Sequence, residues 1–96
     1  MLVFLMAYLL GSIPFGYLMV RVFQGKDVRD LGSGNIGATN VLRTCGRGIA
    51  VLTLALDGAK GYLAVLLTSH FTSQESTTMA LATAAVVLGH VFPIFL

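Results

Sequence analysis

The residues best suited to chemistry form one run, Gly32-Ser33-Gly34-Asn35-Ile36-Gly37-Ala38-Thr39-Asn40-Val41-Leu42-Arg43. Glycines at 32, 34 and 37 let backbone N–H groups turn toward a common point, and such a nest binds phosphate oxygens. Ser33, Thr39 and Asn40 add hydroxyl or amide donors. Thr39 or Asn40 is also suited to cap a helix starting near Val41, which would aim that helix's N-terminus at an anion. Arg43 brings a permanent charge and a planar fork that matches a phosphate. Together these residues read as a phosphate cradle. The simpler reading is a Gly/Ser/Asn loop whose arginines face anionic lipid headgroups. Nucleotide fingerprints are missing: no Gly-Lys-Ser/Thr follows at P-loop spacing, and no strand pattern precedes the glycines.

Two further groups carry ionisable or polar side chains inside apolar sequence. Asp57 and Lys60 stand at i, i+3, which puts them on one face of a helix where they can pair. Each charge costs about 2.5 to 3.5 kcal/mol at the centre of a spanning helix, so a structural ion pair competes with a functional polar site. Gly58 and Gly61 flank the pair and allow another backbone or a substrate to approach. His90 lies three residues before Pro93, which should bend or end its helix. A kink with a satisfied histidine is the plainer reading, and a polar substrate contact the sharper one. His70 and His90 are too far apart to share a metal, no Cys/His cluster has ligand spacing, and Cys45 is a lone thiol that cannot form an internal disulfide.

The elements that must position these groups follow from composition. Hydrophobic residues make up 56% of the 96-residue chain and charged residues only 10%, against roughly 25% in a soluble domain. A water-soluble fold is not expected, since a domain of this size has too little interior for so many apolar side chains. Three apolar segments predict transmembrane helices at about 1–20, 49–71 and 79–96, joined by a polar, glycine-rich loop at 21–48. The first segment carries no charge and lacks the basic leader of a signal peptide. Arg21, Lys26, Arg29, Arg43 and Arg47 all fall in that loop, and the 72–78 connection has no Lys or Arg. The positive-inside rule then predicts an outside N-terminus and a cytoplasmic motif loop. A net charge of +2 gives no support to nucleic-acid binding. No repeat or soluble-domain linker interrupts the chain, which reads as a single partial transmembrane domain over 1–96.

Four motifs, in order, carry a family resemblance: Gly11-Ser12-Ile13-Pro14-Phe15-Gly16, the run Gly32 to Arg43, Asp57-Gly58-Ala59-Lys60-Gly61, and Gly89-His90-Val91-Phe92-Pro93. They resemble the bacterial acylphosphate:glycerol-3-phosphate acyltransferases, the PlsY family, over nearly the whole chain. The resemblance implies an all-α membrane protein, the N-terminal part of a seven-helix bundle in the bacterial inner membrane. It implies transfer of an acyl group from acyl phosphate to glycerol 3-phosphate, giving lysophosphatidic acid for phospholipid synthesis, without a cofactor or metal. Ser33 and Arg43 match the family's important serine and arginine. Gly32, Gly34, Asn35, Gly37, Thr39 and Asn40 would shape the cradle, and Asp57, Lys60 and His90 are further substrate-binding candidates. The His-four residues-Asp motif of the other common glycerolipid acyltransferases is not matched, because His70 is followed five positions later by Glu75. The chain stops at Leu96, where the family continues into further motifs. A fragment, a truncated gene product or one piece of a split protein is therefore expected, with low activity alone and a tendency to self-associate. Two alternatives from other classes are a non-catalytic membrane protein whose loop binds anionic lipid, and a transporter fragment in which Asp57 and Lys60 line a polar path.

Overall fold

The computed structural model describes residues 2–72 and 75–96, and every regular element among them is helical. The described residues form five α-helices, α1 (Leu2–Gly11), α2 (Phe15–Gln24), α3 (Ala38–Cys45), α4 (Arg47–Phe71) and α5 (Ser76–Val91), with a 3-10 turn at Val28–Asp30. Two apolar helical stretches, Leu2–Gln24 and Arg47–Phe71, are long enough to cross a membrane. The 16 residues of α5 rise about 24 Å, less than the roughly 30 Å of a hydrocarbon core.

The observed boundaries differ from the expected ones for local reasons. The first segment is interrupted between α1 and α2, where Pro14 cannot donate a backbone N–H and forces its neighbour out of helical geometry. Its helix then runs to Gln24, four residues past the expected end, and stops at Gly25 in the left-handed conformation, φ 66°. The loop expected at 21–48 is itself partly helical, holding the 3-10 turn and α3. In the last segment the Glu75 carboxylate accepts the Thr77 and Thr78 N–H groups at 3.0 and 3.1 Å, so α5 begins at Ser76 instead of 79. It ends at Val91, two residues before Pro93, instead of running to 96.

The chain divides into two compact units, Met1–Ile13 with Gly58–Leu96, and Pro14–Asp57. In the first, α1 packs on α5 around Ala7, Ala64, Ala82 and Val86. The approach is close because both helices offer glycine: a Cβ on Gly11 would collide with the Val86 carbonyl, and one on Gly89 with the Tyr8 carbonyl. Tyr8 Oη donates to the Phe92 carbonyl at 2.7 Å, and Ser12 Oγ to the Tyr8 carbonyl at 2.8 Å. Lys60, 5% exposed, donates its ammonium to the carbonyls of Gly11 and Ile13 at 2.8 and 2.9 Å. A cation at the end of α1 complements both the helix dipole and the carbonyl acceptors left where the helix stops.

The second unit has its own core, in which Val20 of α2, Val28 of the 3-10 turn, Val41 of α3 and Ala50 of α4 are buried together. Tyr17, Leu31 and Ile36 pack around them. This core fixes both ends of the glycine-rich run, since Leu31 and Ile36 stand on either side of its turn. Ile36 also lays its carbonyl where a Cβ on Gly16 would be, so α2 presents glycine to the loop.

Candidate phosphate-binding loop

The loop from Leu31 to Gly37 is organised by side chains that bond its own backbone. Asn40 lies in the first turn of α3 and is 3% exposed. Its Oδ1 accepts the Ser33 N–H at 3.1 Å, while its Nδ2 donates to the carbonyls of Leu31 at 3.0 Å and Asn35 at 2.9 Å. Asn35 Oδ1 accepts the Gly37 N–H at 2.8 Å, an Asx turn, and Ser33 Oγ accepts the Asn35 N–H at 3.3 Å. The Gly34 N–H closes the turn onto the Leu31 carbonyl at 2.9 Å.

Two glycines are dictated by this arrangement. Gly32 has φ 51°, and a Cβ there would collide with Asn40 Oδ1. Gly34 has φ 78°, and a Cβ there would lie 2.9 Å from the Arg29 carbonyl. Left-handed backbone costs an L residue about 1–2 kcal/mol before any collision is counted.

The start of α3 differs from the expectation. The helix begins at Ala38, not near Val41, and its N-cap is Gly37, not Thr39 or Asn40. The Asx turn of Asn35 holds Gly37 extended, at φ −75° and ψ 163°, and so ends the loop there. Among the described residues no side chain caps this N-terminus. The first N–H groups of this helix, at the positive end of its dipole, therefore have no side-chain partner among the described residues. Thr39 is exposed in that first turn, and Arg43 is exposed one turn further along.

A second brace was not singled out from sequence. Asp27 accepts the Arg29 backbone N–H at 2.9 Å and binds its guanidinium through Nε and Nη2, the latter at 2.7 Å. The guanidinium also lies over the Tyr17 ring, 5.0 Å from its centroid. Hydrogen bonds from the Arg29 side chain, and then from its backbone, hold the Asp27 carboxyl below the usual aspartate range, and the Arg29 pKa is raised by the same partner. This brace sets the Arg29 carbonyl against which Gly34 turns. The signal in the sequence was only an Asp-x-Arg spacing, which is common.

The remaining candidates fall as follows. The structure joins Ser33, Asn35, Gly37 and Asn40 in one network, with Gly32 and Gly34 at its turn. Asn40 was expected to shape the cradle, and its side-chain oxygen and nitrogen are directed to loop backbone groups of Leu31, Ser33 and Asn35. Lys60 was expected among the substrate contacts, and its ammonium is held by the carbonyls at the end of α1. Asp57 is half-buried on the same continuous helix, α4. His90 lies near the end of α5 with a buried Nδ1 that has no hydrogen-bond partner among the described residues. Gly58 and Gly61 meet open space. Among the described residues no group of three His, Cys, Asp or Glu side chains is placed to hold a metal ion.

Apolar helices of spanning length and a polar loop built on a short helix define an all-helical membrane protein. The family model for glycerol-3-phosphate acyltransferase matches residues 1–96. This chain belongs to the glycerol-3-phosphate acyltransferase family. It is 58% identical over 93 residues to the glycerol-3-phosphate acyltransferase of Gluconobacter oxydans (strain 621H), covering 96% of this chain and 44% of that protein. It is 53% identical over 92 residues to that of Jannaschia sp. (strain CCS1), again covering 96% and 44%. A crystal structure of PlsY (YgiH), an integral membrane glycerol 3-phosphate acyltransferase in its glycerol 3-phosphate form, is similar with a TM-score of 0.86 and 40% identity, over 98% of this chain and 46% of that one. The lysophosphatidic acid form of PlsY gives 0.82 and 37%, over 98% and 45%. The chain thus spans a little under half the length of the relatives it matches.

Proposed function

We propose that this chain carries the phosphate-binding part of a glycerol-3-phosphate acyltransferase, which takes an acyl group from acyl phosphate and forms lysophosphatidic acid. The observation that carries the reading is the bracketed loop leading into an α3 N-terminus that no side chain caps among the described residues, with Ser33 and Arg43 exposed. Relatives with this name, and a similar structure solved with glycerol 3-phosphate, support it.

The chemistry asks little of a nucleophile. Acyl phosphate is a mixed anhydride, so the glycerol hydroxyl attacks the acyl carbon, the bond to the phosphate oxygen breaks, phosphate leaves with its electron pair, and the hydroxyl proton ends on the released phosphate, directly or through water. What the protein must do is align the acceptor and stabilise charge on phosphate oxygens. In this reading Arg43 neutralises a phosphate of one of the two substrates. Ser33 donates a hydrogen bond from its hydroxyl to the same group, and the Thr39 hydroxyl adds a donor in the first turn of α3. Asn35 and Gly37 shape the rim, and no residue is assigned as base.

Calorimetric titration of the detergent-solubilised chain with glycerol 3-phosphate tests the reading. Arg43→Ala should weaken binding by about 10- to 100-fold, the value of a charge-assisted hydrogen bond, while Arg47→Ala should leave it within about twofold. Equal, modest losses from both would instead indicate a loop that only attracts anionic lipid.

The same proposal places the chain in the bacterial inner membrane with the loop in the cytoplasm, as five of six basic residues lie between Arg21 and Arg47. Self-association is expected through the exposed apolar faces of α4 and α5, such as Leu54, Leu66 and Leu81. A single monomeric species by light scattering in detergent would refute that part.

A further inference from the structure

We infer that Asn40 is a positioning residue that fixes Ser33 as a hydrogen-bond donor to a phosphate monoester, an inference that rests on the phosphate-binding reading above. Asn40 touches the loop at three points and is too buried to meet a ligand itself. Its Oδ1 ties the backbone on one side of Ser33, and its Nδ2 gathers the carbonyls of Leu31 and Asn35, two residues to either side. Ser33 is held at the tip of the arc so formed.

The consequence lies in the hydroxyl. Ser33 Oγ accepts the Asn35 N–H, and among the described residues no protein acceptor takes its proton. With a lone pair engaged from inside the loop, the exposed O–H is left to donate outward. That polarity suits an anionic oxygen. It opposes a nucleophilic serine, which would need a base to take the proton. Gathering the Leu31 and Asn35 carbonyls into Nδ2 also keeps two acceptor oxygens away from an approaching anion.

The experiment uses the full chain in detergent with two readouts. Hydrogen exchange followed by mass spectrometry should show the 31–37 segment exchanging at least about tenfold faster in Asn40→Ala, and unchanged in Leu42→Ala, a half-exposed position on the same helix. Glycerol 3-phosphate titration of Ser33→Ala, Asn40→Ala and the double variant completes a cycle. Each single substitution should weaken binding about tenfold, and the double should be no weaker than Asn40→Ala within about twofold, because Asn40 acts through Ser33. Losses that multiply, or a loop whose exchange does not change, would overturn the inference. A wild-type chain that does not bind glycerol 3-phosphate would strike the phosphate reading itself, and the exchange readout would still decide whether Asn40 holds the loop.

Discussion

Thr53 is fully buried on α4, and its hydroxyl has no hydrogen-bond partner among the described residues. Thr68 and Thr83 bond the carbonyls of Ala64 and Met79 one turn back, the usual answer for a hydroxyl in an apolar helix. An unsatisfied buried hydroxyl costs about 1–3 kcal/mol, so Thr53→Val should leave stability unchanged or raise it by about 1 kcal/mol, read as the thermal midpoint in detergent. A fall in the midpoint would mean the hydroxyl is bonded. Gly25 and Gly32 make a second test at this scale. Both have positive φ, but a Cβ at Gly25 meets open space while one at Gly32 strikes Asn40 Oδ1. Gly25→Ala should therefore cost only the backbone term of about 1–2 kcal/mol and keep glycerol 3-phosphate affinity, whereas Gly32→Ala should lose affinity as well. The residue types of the cradle were legible in the sequence, because glycine, serine and asparagine at close spacing have few other uses beside an arginine. The direction of each side chain was not. Asn40 looks like a ligand by type, and only its burial and the three backbone groups around it reveal a bracket.

At the scale of elements, α5 depends on Glu75 for its start. The hydroxyl of Thr78 and the backbone of Thr77 hold the Glu75 carboxyl below the usual glutamate range. A lowered folded pKa means that the cap contributes fully above the unfolded value of about 4.3 and is lost as pH falls through the folded value. The Asp27–Arg29 brace has the same sign. Between about pH 5 and pH 3, hydrogen exchange should quicken in the first turn of α5 and around Val28–Asp30, with the centre of α4 unaffected. Glu75→Gln should reproduce the α5 change at neutral pH. Helices α4 and α5 were visible as apolar segments, since length and composition suffice for them. The break at Pro14 was written in the residue type but hidden by an uninterrupted apolar run. The short α3 was hidden for a different reason: its boundary comes from the Asn35 turn, a contact at i+2 that no periodicity registers.

For the whole molecule, the orientation of the loop is the property most open to direct measurement. Cys45 is the only cysteine and lies partly exposed at the end of α3, beside the motif it would report on. A membrane-impermeant maleimide should fail to label it in intact cells and label it once the inner membrane is opened. Labelling in intact cells would reverse the orientation. Charge placement made this expectation possible from sequence, because five basic residues share one connection. The number of spanning helices was less legible, since α5 is shorter than its apolar run suggests.

The Lys60 ammonium and the carbonyls of Gly11 and Ile13 also bear on the order in which the chain is made. Segment α1 leaves the ribosome first and enters lipid with backbone oxygens at its end still seeking a donor. Segment α4 follows, carrying a cation that lipid resists. The carbonyls at the end of α1 offer that cation acceptors it does not find in hydrocarbon, so the two segments, placed side by side, enter the bilayer at lower cost than α4 does ahead of its neighbour.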